Sequence, residues 1–431
     1  MDVVDKKEFY MFSSHIFITG ISMLLFQTVD FLMVLGVSKE TASVISYADS
    51  VFIVFTTVVT GYFSVYFSEV SKDSVSDGVL ATTFSYTCVL SLFSFLTGIF
   101  IFNLNVGDWF HFDEYVFLSY LSSKFSIIIF ILIYSLLEIT TRLLYSASYA
   151  TKITIISLGI NAIINYFLIY EYVFLPPEKV VILSTVMSRT IGILIFSLII
   201  FIHCRNILTL SFSRCLVYKY NKSLGLGVKN GLDWAGGALI GTLLSFLSGP
   251  AFIAYQIFYR ASVVFYRIPQ SFVTAAHKEY AKFLSKNESI DDNIPVRSEF
   301  ERQLLRLISY PSMIIALLIT VMIWFAYFAG VYTESKEVIY FLALLTTLEL
   351  IGLWFYIKEQ SYSTFLICIE NFQPLAKAGV VGFVITSFTA ISLFLASGNI
   401  ILVCMSEIFG TVLVSFYLKR AFNKGCDEIV L

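Results

Sequence analysis

Gly20-Ile-Ser-Met-Leu-Leu-Phe-Gln-Thr-Val-Asp30-Phe-Leu-Met-Val-Leu-Gly36 is the stretch on which the reading of this chain turns. It closes a largely apolar run that begins at Tyr10. At a helical rise of about 1.5 Å per residue, such a run crosses the roughly 30 Å hydrocarbon core of a bilayer. Asp30 then lies at membrane depth, a few residues from one end of the span. An acid there is costly unless it is protonated, paired or facing water, so by default it marks a proton or cation relay. The competing reading is an interfacial helix-end residue without chemistry, because Gly36 follows so soon.

Composition supports the membrane reading. Of 431 residues, 58% are hydrophobic and only 13% charged, and the mean hydropathy is +0.84. Soluble domains are nearer 45–50% apolar and about 25% charged. The sequence predicts an all-α polytopic membrane protein. A net charge of −2 selects no partner class, and no basic domain or zinc spacing points to nucleic acid. The cysteines, Cys88, Cys204, Cys215, Cys368, Cys404 and Cys426, form no close pair. The four histidines are scattered, and no nucleophile elbow or P-loop is present. No enzyme activity and no cofactor are expected. The start, Met1-Asp-Val-Val-Asp-Lys-Lys-Glu8, precedes a span too long for a signal peptide, so an uncleaved first helix is expected.

Apolar runs divided by polar punctuation give about twelve spans. They cover roughly 10–36, 43–69, 78–103, 116–141, 149–174 and 178–203, then 226–248, 251–275, 303–330, 337–364, 375–396 and 399–420. With both termini in the cytoplasm, the inner connections hold twenty Lys and Arg residues, and the outer ones only Lys39, Lys179 and Lys336. That bias follows the positive-inside rule. The expected organisation is an N-terminal six-helix bundle (1–203), a basic, irregular cytoplasmic linker (204–225) and a C-terminal six-helix bundle (226–431). A second polar inner connection, 277–302, contains Asn287-Glu-Ser-Ile-Asp-Asp-Asn-Ile-Pro295.

The halves resemble each other. Gly36-Val-Ser-Lys39, Ser46-Tyr-Ala-Asp-Ser-Val-Phe52 and Glu69-Val-Ser-Lys72 recur loosely as Ser248-Gly-Pro250, Tyr259-Arg-Ala-Ser-Val-Val-Phe265 and Leu284-Ser-Lys286. Repeats with an even number of spans are parallel, related by an axis along the membrane normal. Transporters so built hold substrate between the halves.

Several stretches in order carry a family resemblance. They are Gln27-Thr-Val-Asp30 with Gly36-Val-Ser38, then Leu143-Leu-Tyr-Ser-Ala-Ser148, Thr151-Lys152 and Gly159-Ile-Asn161-Ala-Ile-Ile-Asn165-Tyr166, and finally Ala254-Tyr-Gln256 with Phe265-Tyr-Arg-Ile-Pro269. In these the chain resembles the multidrug and toxic compound extrusion (MATE) family, within the superfamily that also contains lipid-linked oligosaccharide flippases. The resemblance implies twelve helices in two pseudo-symmetric bundles and export of amphipathic compounds driven by inward Na⁺ or H⁺. It implies an ion site of an acid on the first helix, matched by Asp30, two polar residues on the fifth, matched by Asn161 and Asn165, and a threonine on the sixth, matched by Thr185. The second helix-five residue is often an acid in that family; Asn165 lowers the charge here. The C-terminal acids match poorly: Gly241 falls where some members carry a glutamate, and Glu359 is a loose match for a tenth-helix acid.

The same four residues make chemical sense by themselves. One carboxylate with amide and hydroxyl oxygens suits a hard cation such as Na⁺ at Asp30, Asn161 and Asn165, and a spacing of four puts both asparagines on one helix face. A proton relay needs only Asp30. The alternative is asparagines that simply bond across helices, worth about 1 kcal/mol or less each.

Further charges fall inside spans: Asp49, Lys124, Arg189, Asp233, Arg260, Arg267, Glu349, Lys358 and Glu359. Arg260 and Arg267 are two turns apart on one face, either a cationic stripe lining a cavity or ion-pair partners of Asp49 and Asp233. Gln27, Tyr47, Gln256 and Glu359 complete the cavity candidates. Pro269 removes a backbone bond deep in helix eight and is expected to kink it. The chain reads as a secondary active exporter of an amphipathic small molecule, an H⁺ or Na⁺ antiporter of the plasma (inner) membrane, expected as a monomer with the lipid bilayer as surroundings. A flippase for a lipid-linked, anionic oligosaccharide is the alternative.

Overall fold

A computed structural model describes residues 4–72, 78–103, 114–172, 175–203, 212–247, 249–286, 294–330 and 336–429. Within these, the side chains at 39–40, 43, 241, 244–265, 294–296, 337–338 and 425–429 lie outside the description. So do most of the polar connection around Asn287 and residues 204–211 of the expected linker.

The described residues form helices and no strands. In chain order they are α1 (Lys6–Leu35), α2 (Lys39–Val59), α3 (Tyr62–Ser71), α4 (Val79–Phe102), α5 (Glu114–Ser126), α6 (Ile128–Leu144), α7 (Ala147–Tyr166), α8 (Pro177–His203), α9 (Arg214–Leu247), α10 (Gly249–Lys286), α11 (Ile294–Phe328), α12 (Lys336–Cys368), α13 (Gln373–Ser397) and α14 (Ile400–Ile429). Eight are long and apolar enough to cross a membrane, and ten spans result if each of two bent pairs is one. The 34-residue α9 and 38-residue α10 cover the two remaining expected spans, 226–248 and 251–275, and are not among these ten. The chain is an integral membrane protein of helical spans.

Two expected spans are broken. The α2–α3 pair bends by 47° and α5–α6 by 42°. Hydroxyls bonded back into the preceding turn, which favour bending, precede each break. Thr57 Oγ1 donates to Ile53 O at 2.7 Å and Thr56 Oγ1 to Phe52 O at 2.9 Å, just before Gly61. Ser123 Oγ donates to Ser119 O at 2.7 Å and Ser126 Oγ to Ser122 O at 3.0 Å, just before Ile127. By contrast, α10 stays helical through Pro269.

The chain divides into two compact units. One comprises residues 18–221; the other comprises 1–17 with 222–431. Each of two helices therefore begins in one unit and ends in the other. Residues 6–17 of α1 belong with α10, where Phe9 stacks on Phe272 at 6.4 Å and Lys278 Nζ lies 3.1 Å from Glu8. Residues 214–221, placed in the linker by sequence, are the first turns of α9. There Tyr220 Oη lies 2.5 Å from Thr83 Oγ1, and Lys219 Nζ 3.1 Å from Glu69.

In the 18–221 unit the Tyr134 ring of α6 and the Ser157 hydroxyl of α7 pack against the α8 backbone at Gly192. A Cβ there would overlap the Tyr134 ring and lie 2.7 Å from Ser157 Oγ. Gly192→Ala is expected to destabilise this unit by about 1–3 kcal/mol, the usual size of overpacking, read as a lowered melting temperature in detergent.

Candidate functional site

The site lies inside the 18–221 unit. Helix α1 carries Met23, Phe26, Gln27 and Asp30 at intervals of three and four, hence on one face. Asp30 is 2% exposed, and Asn161 and Asn165 of α7 are fully buried. Asn165 Nδ2 donates to Asp30 Oδ1 at 2.5 Å and approaches Asn161 Oδ1 at 3.4 Å. Asn161 Nδ2 donates to Ser184 Oγ at 3.1 Å. Asn165 Oδ1 is buried without a hydrogen-bond partner. The hydroxyl on the asparagines is thus that of Ser184, not of its neighbour Thr185.

Two ties hold α7 against α1. Thr19 and Thr151 hydroxyls meet at 3.0 Å. At the other end α7 continues into a π-helical turn, Phe167–Glu171, and Tyr170 Oη donates to Met33 O at 2.8 Å. The tyrosine reaches α1 only because Gly36 lacks a side chain: a Cβ there would lie 2.5 Å from Tyr170 Oη. Gly36→Ala is expected to break this bond, costing about 1 kcal/mol, and to loosen Asn165 on Asp30. A Tyr170→Phe variant with the same melting shift checks the assignment.

Asp30 opens on a cavity of about 110 Å³ lined by Met23, Phe26, Gln27, Asp30, Phe52, Thr56, Lys124, Ile131, Thr185 and Arg189. By the volume one water needs, this holds several. Gln27 and Thr185 face it as well. Asp49 is 6% exposed but does not line it. Its Oδ1 takes Lys124 Nζ at 3.3 Å and the Tyr120 hydroxyl at 3.1 Å. Tyr47 lies elsewhere: it is 38% exposed and packs on Phe117 at 5.8 Å.

Two cations in the cavity wall were visible in the sequence only as charges within spans. Lys124 is 4% exposed and Arg189 7%. Arg189 lies 4.0 Å from the Phe26 ring centroid and 4.3 Å from that of Tyr134. Its Nη1 contacts Met23 Sδ at 3.0 Å, and its Nε has no hydrogen-bond partner. No carboxylate pairs with it among the described residues. The spacing Thr185 to Arg189, one helical turn, was the available signal.

The other unit has its own polar cluster, built on a buried lysine and reaching an exposed Asp233. Lys229, fully buried, lies 2.5 Å from Glu359 Oε1 and 3.0 Å from Asp233 Oδ2. Gly379 packs so closely on α9 that a Cβ would lie 2.9 Å from Lys229 Cβ. Arg267 Nη1 donates to Gln270 Oε1 at 3.1 Å, and Gln270 Nε2 to Tyr356 Oη at 2.6 Å. Tyr266 Oη donates to Glu349. Asp233 and Glu359 thus share one lysine, which sequence reasoning did not pair with them, and Arg267 serves Gln270 rather than an acid. The side chains of Gln256 and Arg260 lie outside the described residues.

No protein-family model matches the chain, and no curated protein does. Solved structures do. A MOP superfamily transporter from Pyrococcus furiosus, described as having a binding pocket of reverse polarity that suggests a different function, is 14% identical with a TM-score of 0.76, over 98% of this chain and 96% of that one. The bent form of the Vibrio cholerae MATE transporter VcmN is 13% identical with a TM-score of 0.74, over 98% and 97%. An outward-facing multidrug resistance MATE transporter is 14% identical with a TM-score of 0.76, over 97% and 96%. The chain has the MATE fold. Its six-plus-six helical design is the one the sequence predicts, and the fold extends from end to end. At this identity the likeness fixes the MATE fold alone, and the chemistry rests on the side chains above.

Proposed function

We propose that the protein is a secondary active transporter that exports an amphipathic small molecule in exchange for H⁺ or Na⁺, with Asp30 as the coupling group. The observation that carries this is a buried carboxyl group, held by Asn165, opening on a polar cavity inside a transporter fold. An ionised carboxylate so placed is costly. Asn165 donates to one oxygen of Asp30, and its own oxygen lacks a donor. A proton on Asp30 supplies that donor and makes a two-point acid–amide pair. Asn161, Asn165, Thr185 and Asp30 are the oxygen ligands in the Na⁺ version.

Alternation between inward- and outward-open forms then follows a simple rule: substrate affinity differs between the loaded and empty states of Asp30, or the gradient moves nothing. Gln27 is a neutral polar group that lines the cavity with Asp30 from the same helix. The protein works in the plasma (inner) membrane as a monomer with both termini cytoplasmic.

The second reading, flipping of an anionic lipid-linked saccharide, draws on the intramembrane cations Lys124, Arg189, Lys229 and Arg267. Purified protein in liposomes, given imposed pH or Na⁺ gradients and a panel of amphipathic drugs and of lipid-linked saccharides, decides between them. Gradient-driven drug uptake into inverted vesicles supports export; saccharide movement alone replaces it with flipping.

A further inference from the structure

The Asp30 cavity carries its own countercharges, which bears on which cation it can load. Asp30 on α1, Lys124 on α5 and Arg189 on α8 line it, and the charged groups linked to these are Asp49 on α2 and the Glu138–Arg142 pair on α6. Lys124 pairs with Asp49 and Arg142 with Glu138. That leaves Asp30 and Arg189, the acid held by an amide and the guanidinium held by two rings and a thioether. Tyr120 and Tyr134 complete the titratable groups: Tyr120 donates to Asp49 and Tyr134 to Thr154 Oγ1 at 3.2 Å. With every acid and base ionised the set is neutral.

We propose that Lys124 and Arg189 are resident counter-cations of Asp30, which make this cavity load a proton and exclude Na⁺. The inference rests on Asp30 being the coupling group. Na⁺ keeps its full charge when bound and needs several oxygen ligands. A fixed unit charge across a cavity of this size cuts the affinity for a second cation by roughly two orders of magnitude. Arg189 is such a charge, and the Lys124 ammonium in the same wall is offset by Asp49. A Na⁺ site weakened to that degree stays empty at ordinary salt. A proton needs no coordination shell, and it merges with the carboxylate into a neutral acid that Asn165 can hold at both atoms. When the proton leaves, Arg189, which lines the same cavity and whose Nε lacks an acceptor, is a partner for the carboxylate that no other acid claims among the described residues. A guanidinium donates up to five hydrogen bonds and suits a carboxylate at two points.

The test uses full-length purified protein and radiolabelled Na⁺ in equilibrium binding, with melting curves in Na⁺ against choline as an independent readout. Wild type is expected to bind no Na⁺ above the Asp30→Asn background at physiological salt. Arg189→Met is expected to gain Na⁺ affinity by roughly a hundredfold, Lys124→Met, which also uncovers the Asp49 carboxylate, to gain as well, and Asp30→Asn added to either is expected to remove the gain. Lys124→Arg, which keeps the charge, is expected to bind none. Asp30-dependent Na⁺ binding by wild type overturns the proposal, as does a folded Lys124→Met or Arg189→Met protein without any gain. If one variant fails to fold, the other and the wild-type measurement still decide. Transport by Asp30→Asn at the wild-type rate would instead remove the exchange reading, an outcome that the binding results cannot mimic.

Discussion

Asp30→Asn is expected to reduce gradient-driven transport to the background of protein-free liposomes, with insertion and folding intact. The substitution preserves shape. Its amide oxygen accepts from Asn165 Nδ2 as the carboxylate does, and its amide nitrogen donates to the unpartnered Asn165 Oδ1. The variant therefore imitates the proton-loaded site but cannot unload. Exchange needs both states, so substrate binding persists while turnover stops. Substrate binding by melting shift, measured beside transport, separates this from misfolding. A variant that transports at the wild-type rate removes Asp30 from the mechanism.

The second large effect belongs to the other unit. Lys229→Met is expected to destabilise the protein by about 3–5 kcal/mol, because it leaves the buried Glu359 carboxylate uncompensated, Asp233 being 40% exposed. Lys229 is the fully buried member, with Glu359 at 2.5 Å and Asp233 at 3.0 Å. Adding Glu359→Leu is expected to recover much of the loss, since the apolar pair fills the same space without stranded charge. A double-mutant cycle of melting in detergent measures the coupling. Additive losses would show that the lysine serves neither acid.

The spans were legible because hydrocarbon thickness sets their length, and the order of six and six followed. The bends at Gly61 and Ile127 were not: serine and threonine hydroxyls turn back onto their own helix before both, but they do so along the unbroken α4 as well, so no local sequence pattern separates the two cases. The linker was misjudged for another reason. Leu216, Tyr220 and Ser223 are buried at intervals of four and three, a helical period, but the intervening Lys and Arg residues read as irregular chain.

At the site, the grouping of Asp30 with Asn161 and Asn165 came from a motif and a spacing of four. Tyr47 and Asp49 were both placed in the cavity by sequence. Two residues apart on a helix, they point about 200° apart, and the structure buries Asp49 while Tyr47 faces outward. The pairing of Lys124 with Asp49 spans 75 positions and leaves no local trace in the chain.

The matched acids and bases around Asp30 have an electrical consequence. A carrier whose empty form is neutral becomes singly positive once a proton settles on Asp30. A cell interior held negative then draws the loaded form inward, by about 2.3 kcal/mol per 100 mV if the charge crosses the whole field, and exerts no net pull on the empty one. If Asp30 loads a proton as proposed and the substrate is neutral, membrane voltage alone, with no pH difference, is enough to turn the cycle over, and each turn moves current.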